Sequence, residues 1–120
     1  MLRDDDLIPL RGWRPNILLV GPSAASLLPN LLSQCRAPVH EVSAKRVTLM
    51  PDAGTVVLRD VADSDMDAQR ALFDWLDTQG GHVQVITVAP APLFPLVGEG
   101  GLSEALFYRL NVVTAAASHH

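Results

Sequence analysis

Along this chain the apolar positions change their period several times, and each change marks an element. Ile17-Leu18-Leu19-Val20 is an uninterrupted apolar run that stops at Gly21. A run without polar alternation fits a strand buried on both faces of a parallel sheet. Leu27, Leu28, Leu31 and Leu32 then fall at helical spacing, with Pro29 among them. Proline is tolerated only in a first helical turn, so this helix is expected to start late, to kink or to be short. Val39 to Val42 and Val47 to Met50 are weaker strand segments split by Lys45 and Arg46, before a turn at Pro51-Asp52-Ala53-Gly54.

Beyond that turn the periods are clearer. Thr55-Val56-Val57-Leu58 reads as a strand, and Ser64 followed by Asp67 resembles a capping box with Asp in place of Glu. Ala68, Ala71, Leu72, Trp75 and Leu76 give a helical apolar face, which Gly80-Gly81 should end. Val83 to Val88 is a β-branched run followed by proline-rich turns. Ser103 can cap a last helix through Leu110, and Asn111 to Thr114 can return as an edge strand. Strands alternating with helices predict a three-layer α/β domain on a mainly parallel sheet. The division expected is a lead-in over 1–15, with Trp13 available to cover a core edge, one domain over 16–114, and a tail over 115–120.

A chain of 120 residues can bury roughly two-thirds of its unfolded surface in one core. Its single cysteine, Cys35, excludes an internal disulfide, reads as an inert buried thiol and fits a cytoplasmic protein. A net charge of -4, with nine scattered Lys and Arg, offers no footprint for nucleic acid. The acidic start Asp4-Asp5-Asp6 is unlike a secretory signal, and Pro90, Pro92 and Pro95 interrupt the most apolar region, so no membrane segment is expected. His119 and His120 read as a terminal tail or tag remnant, and His40 and His82 lack ligand-spaced partners, so no metal site is expected. Ser23 and Ser26 lack a nucleophile-elbow pattern.

Four stretches carry more information together than separately: GTVVLRDV at 54–61, DAQRALFDWLD at 67–77, VQVITVA at 83–89 and EALFYRLNVV at 104–113. In this order and spacing they resemble the AAA+ core of bacterial sigma-54-dependent transcription activators. That family has a Gly-Thr-Leu-Phe-Leu-Asp-Glu strand, a Gln-Leu-Leu helix, a Val-Arg-Val-Ile strand and an ending of the type Asp-Leu-Tyr-Tyr-Arg-Leu-Asn-Val. The resemblance covers about half the chain with specificity and places Gly21 at the first glycine of a P-loop. It implies a P-loop NTPase-like fold, a minimal AAA+ α/β subdomain.

The departures from the family concern its chemistry. A working P-loop reads Gly-x-x-x-x-Gly-Lys-Ser/Thr, because backbone N–H groups crowd the phosphates, lysine neutralises them and the hydroxyl holds magnesium. Ser26, Leu27 and Leu28 stand at those last three positions. Arg59-Asp60 replaces the Asp-Glu pair, Pro90 falls near the sensor asparagine, Ser103 takes the first arginine-finger position, and Arg109 alone keeps the residue type of the second. No Gly-Ala-Phe-Thr-Gly-Ala loop, the family's sigma contact, occurs.

The expectation is therefore a transcription-related, non-catalytic regulatory or protein-interaction module. It has no catalytic residues and no required cofactor, with ATP and magnesium at most weak vestigial ligands. Its partner would be itself, a true activator or a signalling protein. Gly21, Ser23, Ser26 and Asp60 are the vestigial nucleotide positions, but Gly21 reads first as a strand-exit glycine, and Asp60 and Asp63 read as a solvated loop or local ion pair beside Arg59 rather than a cation site. Tyr108 and Arg109 are the candidate interface. The alternative is a domain that still binds a nucleotide or anion without turnover. Burial of an apolar side chain also predicts that Leu27 or Leu28 turns inward and that side chains fill the cleft at Gly21.

Overall fold

The computed structural model describes residues 15–45, 54–79 and 83–116. The lead-in with Trp13, the segment Val47 to Met50, most of the Pro51 turn, Gly80-Gly81, His82 and the terminal histidines lie outside the described residues. The elements are β1 (Ile17–Val20), α1 (Ala24–Leu32), β2 (Val39–Ser43), β3 (Thr55–Arg59), a 3-10 turn (Val61–Asp63) and α2 (Met66–Gln79), followed by β4 (Gln84–Ala89), α3 (Phe94–Gly98), α4 (Glu104–Leu110) and β5 (Val113–Ala116).

The strands form one sheet in the order β2-β3-β4-β1-β5. Each neighbouring pair is parallel, with Ile17 opposite both Ile86 and Val113, and Leu58 opposite both Thr87 and Val42. The apolar runs explain this placement. Alternate residues of β1, β3 and β4 supply two cores: Ile17, Leu19, Val57 and Ile86 face α1, while Leu18, Leu58 and Val85 face α2 and α4. Helices on both faces complete three layers, as the alternation of strands and helices predicts.

Four local expectations are corrected. Pro29 sits inside α1, which starts early, at Ala24, and runs nine residues. An interior proline costs about 3 kcal/mol. Burial of Leu28 and Leu31 on this helix offsets it by roughly 3 to 6 kcal/mol. Ser64 does not cap α2: its hydroxyl donates to the Val61 carbonyl at 2.6 Å, and the Asp65 carboxylate accepts from the Ala68 N–H at 2.8 Å. The proline-rich stretch contains the short helix α3. Finally, β5 is an edge strand but runs from Val113 to Ala116, past the boundary expected at 114.

Buried and half-buried polar groups tie these layers together. Gln84 donates to the Pro15 carbonyl at 2.7 Å, and Asn16 accepts from the Val85 N–H at 2.9 Å while donating to the Arg109 carbonyl at 2.8 Å. Thr87 is different, because its hydroxyl is fully buried in the central strand without a hydrogen-bond partner. A buried unsatisfied hydroxyl costs about 1 to 3 kcal/mol. Thr87→Val should therefore raise stability by about 1 kcal/mol, read as a higher urea midpoint at unchanged slope. A lower midpoint would mean that the hydroxyl is satisfied.

Candidate functional site

The carboxyl ends of β1, β3 and β4 meet at one cleft of about 410 Å³. Gly21 leaves β1 with φ of 126°, a backbone conformation that glycine adopts without a side-chain clash, and its N–H donates to the Ala89 carbonyl at 2.9 Å. This glycine thus locks β1 to β4 as well as opening the turn. The turn is short, for α1 begins at Ala24 only three residues later. Two of its backbone donors close on the turn itself: the Ala24 N–H bonds the Gly21 carbonyl at 3.1 Å and the Ser26 N–H bonds the Ser23 carbonyl at 3.0 Å, while Pro22 has no N–H to offer.

This geometry separates the residues that the P-loop comparison puts together. Ser23 is the N-cap residue but makes no side-chain cap. Ser26 lies within α1, exposed, and its hydroxyl donates to the Ser23 carbonyl at 2.6 Å. It does not line the cleft, whose α1 side consists of Gly21, Pro22, Ala24 and Ala25. Leu28 is buried and Leu27 half-buried, both against the core beneath α1. The leucines therefore turn inward as expected, but they do not fill the cleft. The early start of α1 carries them onto the sheet face, away from the carboxyl edge.

The β3 side of the cleft supplies its charges. Arg59 donates through Nε to Glu41 Oε1 on β2 at 2.6 Å. Asp60 follows in the left-handed conformation, φ 64° and ψ 26°, which Asp tolerates better than most residues. Its Oδ2 accepts from the Ser43 hydroxyl at 2.7 Å. Asp63 also lines the cleft, at the end of the 3-10 turn. On the β4 side lie Val88, Ala89 and Pro90, with Leu93 behind them. Arg59 pairs across strands with Glu41, a partner that becomes visible only once the β2–β3 register is known.

Tyr108 and Arg109 lie on α4, apart from this lining. Arg109 Nη1 donates to Asp77 Oδ1 at 3.3 Å, and the guanidinium sits 5.4 Å from the centre of the Phe73 ring. It fastens α4 to α2. Tyr108 is exposed, with its ring in edge contact with Phe107. Ser103, at the first finger position, caps α4 by accepting from the Leu106 N–H at 3.3 Å. Cys35 is half-buried rather than buried, and its thiol donates to the Leu31 carbonyl at 3.3 Å. Among the described residues there is no group of three or more His, Cys, Asp or Glu side chains that could hold a metal, and no helix long and apolar enough to cross a membrane.

No protein-family model and no curated protein matches this sequence. Solved structures do. The chain is similar to NtrX from Brucella abortus, with 21% identity and a TM-score of 0.70 over 87% of this chain and 33% of that one. The same regulator in complex with ATP gives 21% identity and a TM-score of 0.70, covering 87% and 31%. The P-loop NTPase domain of the Sigma-54 transport activator from E. coli gives 14% identity and a TM-score of 0.61, covering 98% of this chain and 97% of that domain. The fold is thus that of the P-loop NTPases, and the chain spans about a third of the length of NtrX.

Proposed function

We propose that this chain is a non-catalytic regulatory or protein-interaction module built on the P-loop NTPase fold of the sigma-54 activators. The observation that carries this reading is the turn at Gly21, where the Ala24 and Ser26 N–H groups bond carbonyls of the turn itself and the helix starts three residues after the glycine. A phosphate cradle needs those donors turned toward the ligand. Arg59, bonded to Glu41, and Asp60, bonded to Ser43, supply no magnesium-coordinating acidic pair. The partner is then a protein in the cytoplasm: a second copy, a true activator or a signalling protein. ATP and magnesium should give no phosphate release above a heat-inactivated control. Turnover abolished by Asp60→Ala would sink the proposal.

The cleft itself favours a second reading, residual nucleotide or anion binding without turnover, because a ligand-sized space persists at the strand ends. Thermal shift with ATP, ADP and phosphate separates the two. Binding would stabilise the fold by about 2.7 kcal/mol at 100 times the dissociation constant. No shift at millimolar ligand removes this second reading.

Restoring the missing lysine should not restore the site. Leu27→Lys places an ammonium one turn into α1, on a residue half-buried against the core beneath it. We expect no ATP binding by calorimetry and a stability loss of about 1 kcal/mol, from the apolar contact removed. Tight ATP binding at undiminished melting temperature would show that the turn still reaches a phosphate.

A further inference from the structure

We infer that this chain forms a two-fold dimer through the outer edge of β5, which pairs antiparallel with the β5 of a second copy. Among the described residues nothing pairs with that edge, since β5 is joined to β1 alone. Backbone groups alternate in direction along the strand. The Val113 N–H donates to the Asn16 carbonyl at 3.1 Å, so Val113 and Ala115 direct their N–H and C=O groups at β1, while Thr114 and Ala116 direct theirs outward. An open row of this kind is a template for another strand unless the sequence guards it.

The two edges of the sheet are guarded differently. On β2 the Pro38 carbonyl accepts from the Thr55 N–H at 3.2 Å and the Ala44 N–H donates to the Arg59 carbonyl at 2.7 Å, so His40 and Val42 direct their backbone groups at β3, and Val39, Glu41 and Ser43 direct theirs outward. A two-fold pairing centred on β2 sets Glu41 against Glu41 of the second copy, each already held by Arg59 from its inner side, and like charges directly opposite repel. On β5 the central outward residue is Thr114, exposed and uncharged, and Val113–Ala116 contains neither a charge nor a proline. Thr114 then stands opposite Thr114 of the second copy, a favourable cross-strand pair, with each N–H donating to the other's carbonyl. Ala116 falls opposite Val112 of the second copy. Val112 is 53% exposed, an apolar side chain left in water where the added strand would run. This register matches the strand to itself, which selects a second copy as the partner. Four residues bury less than the roughly 1,200 Å² of a stable interface, so the dimer is weak, with a dissociation constant on the order of 100 µM.

The inference narrows the protein-interaction reading to one partner and rests on that reading. Sedimentation of the full chain, with EDTA to keep metal off the terminal histidines, is followed from about 10 µM to about 1 mM, and amide exchange is read at the same concentrations. The mass should rise toward that of a dimer. Over that range exchange at Thr114 and Ala116 should slow severalfold, while the amides of Val113 and Ala115, already bonded to β1, should not change. Thr114→Lys opposes two ammonium groups at the two-fold and should weaken association about tenfold. Thr114→Val also loses the hydroxyl bond to Asn111 but adds no charge, and it should associate within about twofold of the parent. Since the Thr114 N–H is not bonded to β1, both variants should keep the melting temperature of the dilute parent. A monomer at the highest concentration, a dimer whose Thr114 and Ala116 amides exchange as fast as in the dilute chain, or a lysine variant that associates as tightly as the parent overturns the inference. Incubation of the same samples with ATP and magnesium separates the two readings. A monomer that releases no phosphate leaves the interaction module without this partner; phosphate release abolished by Asp60→Ala removes the module reading whatever the mass.

Discussion

Gly54→Ala is expected to lower the stability of this domain by about 3 kcal/mol. A β-carbon at this position would stand 2.6 Å from the Arg36 carbonyl oxygen and 2.7 Å from that of Ala37. Both are backbone atoms, so no rotamer change relieves the overlap. The strand would have to move away from 36–38, and the contacts that seat it would go: the Gly54 N–H on the Pro38 carbonyl at 2.9 Å and the Thr55 hydroxyl on the Arg36 carbonyl at 2.8 Å. The Gly-Thr pair that opens the family-like stretch GTVVLRDV is therefore explained by packing, independently of nucleotide chemistry. Urea unfolding measures the loss, and a midpoint unchanged from the parent would show that the 36–38 backbone yields without cost.

Gln69→Leu should cost nearly as much, about 2 to 3 kcal/mol, although it replaces a polar core residue by an apolar one of similar size. Gln69 is buried on α2, and its amide reaches three backbone groups. Nε2 donates to the carbonyls of Ser64, at 3.1 Å, and Gly101, at 2.9 Å; Oε1 accepts from the Ser103 N–H at 2.8 Å. The leucine would leave the Gly101 and Ser103 groups without their side-chain partner at the point where the loop enters α4. Gln69→Glu should be worse still, since it keeps the acceptor, loses both donors and buries a charge. Denaturant melts rank the variants, and amide exchange at Ser103 should accelerate in both. A leucine variant within about 0.5 kcal/mol of the parent would show that water replaces the amide.

These two residues also mark what the sequence conveyed and what it did not. Ile17 to Val20 is readable as a strand buried on both faces because the run is wholly apolar, and Thr55 to Leu58 and Val83 to Val88 are readable as strands because β-branched residues crowd them. The helix at Met66–Gln79 was readable from Leu72 and Leu76. Its cap was misplaced by one residue, since Ser64 and Asp65 can both cap and only the surrounding structure directs Ser64 to the Val61 carbonyl. The start of α1 was hidden by Pro29, whose local penalty is smaller than the burial of its two leucines.

The site was less readable than the fold. Gly21 and Asp60 do meet at the cleft, whereas Ser26 does not, because motif spacing assumes a loop length and here the helix begins inside the motif. Filling of the cleft was predicted from the size of Leu27 and Leu28, but a helix directs its side chains by its axis, and this axis points them at the sheet. The bond from Gln69 to Gly101 and the ion pair from Arg59 to Glu41 join positions far apart along the chain, and no local pattern announces them.

The strand order has a consequence for how the chain comes off the ribosome. β1 is synthesised before the other described strands, yet its partners are β4 and β5, so both its edges wait until Ala89 and beyond have been made. At about 5 to 20 residues per second that delay is roughly 3 to 14 seconds. Meanwhile β2 and β3 can pair with each other, but β4 alone joins that pair to β1. Until it emerges, the apolar faces of β1 and of the helix after it are exposed to solvent together. A nascent chain stalled short of β4 should therefore be a chaperone substrate, and one stalled well past β5 should not.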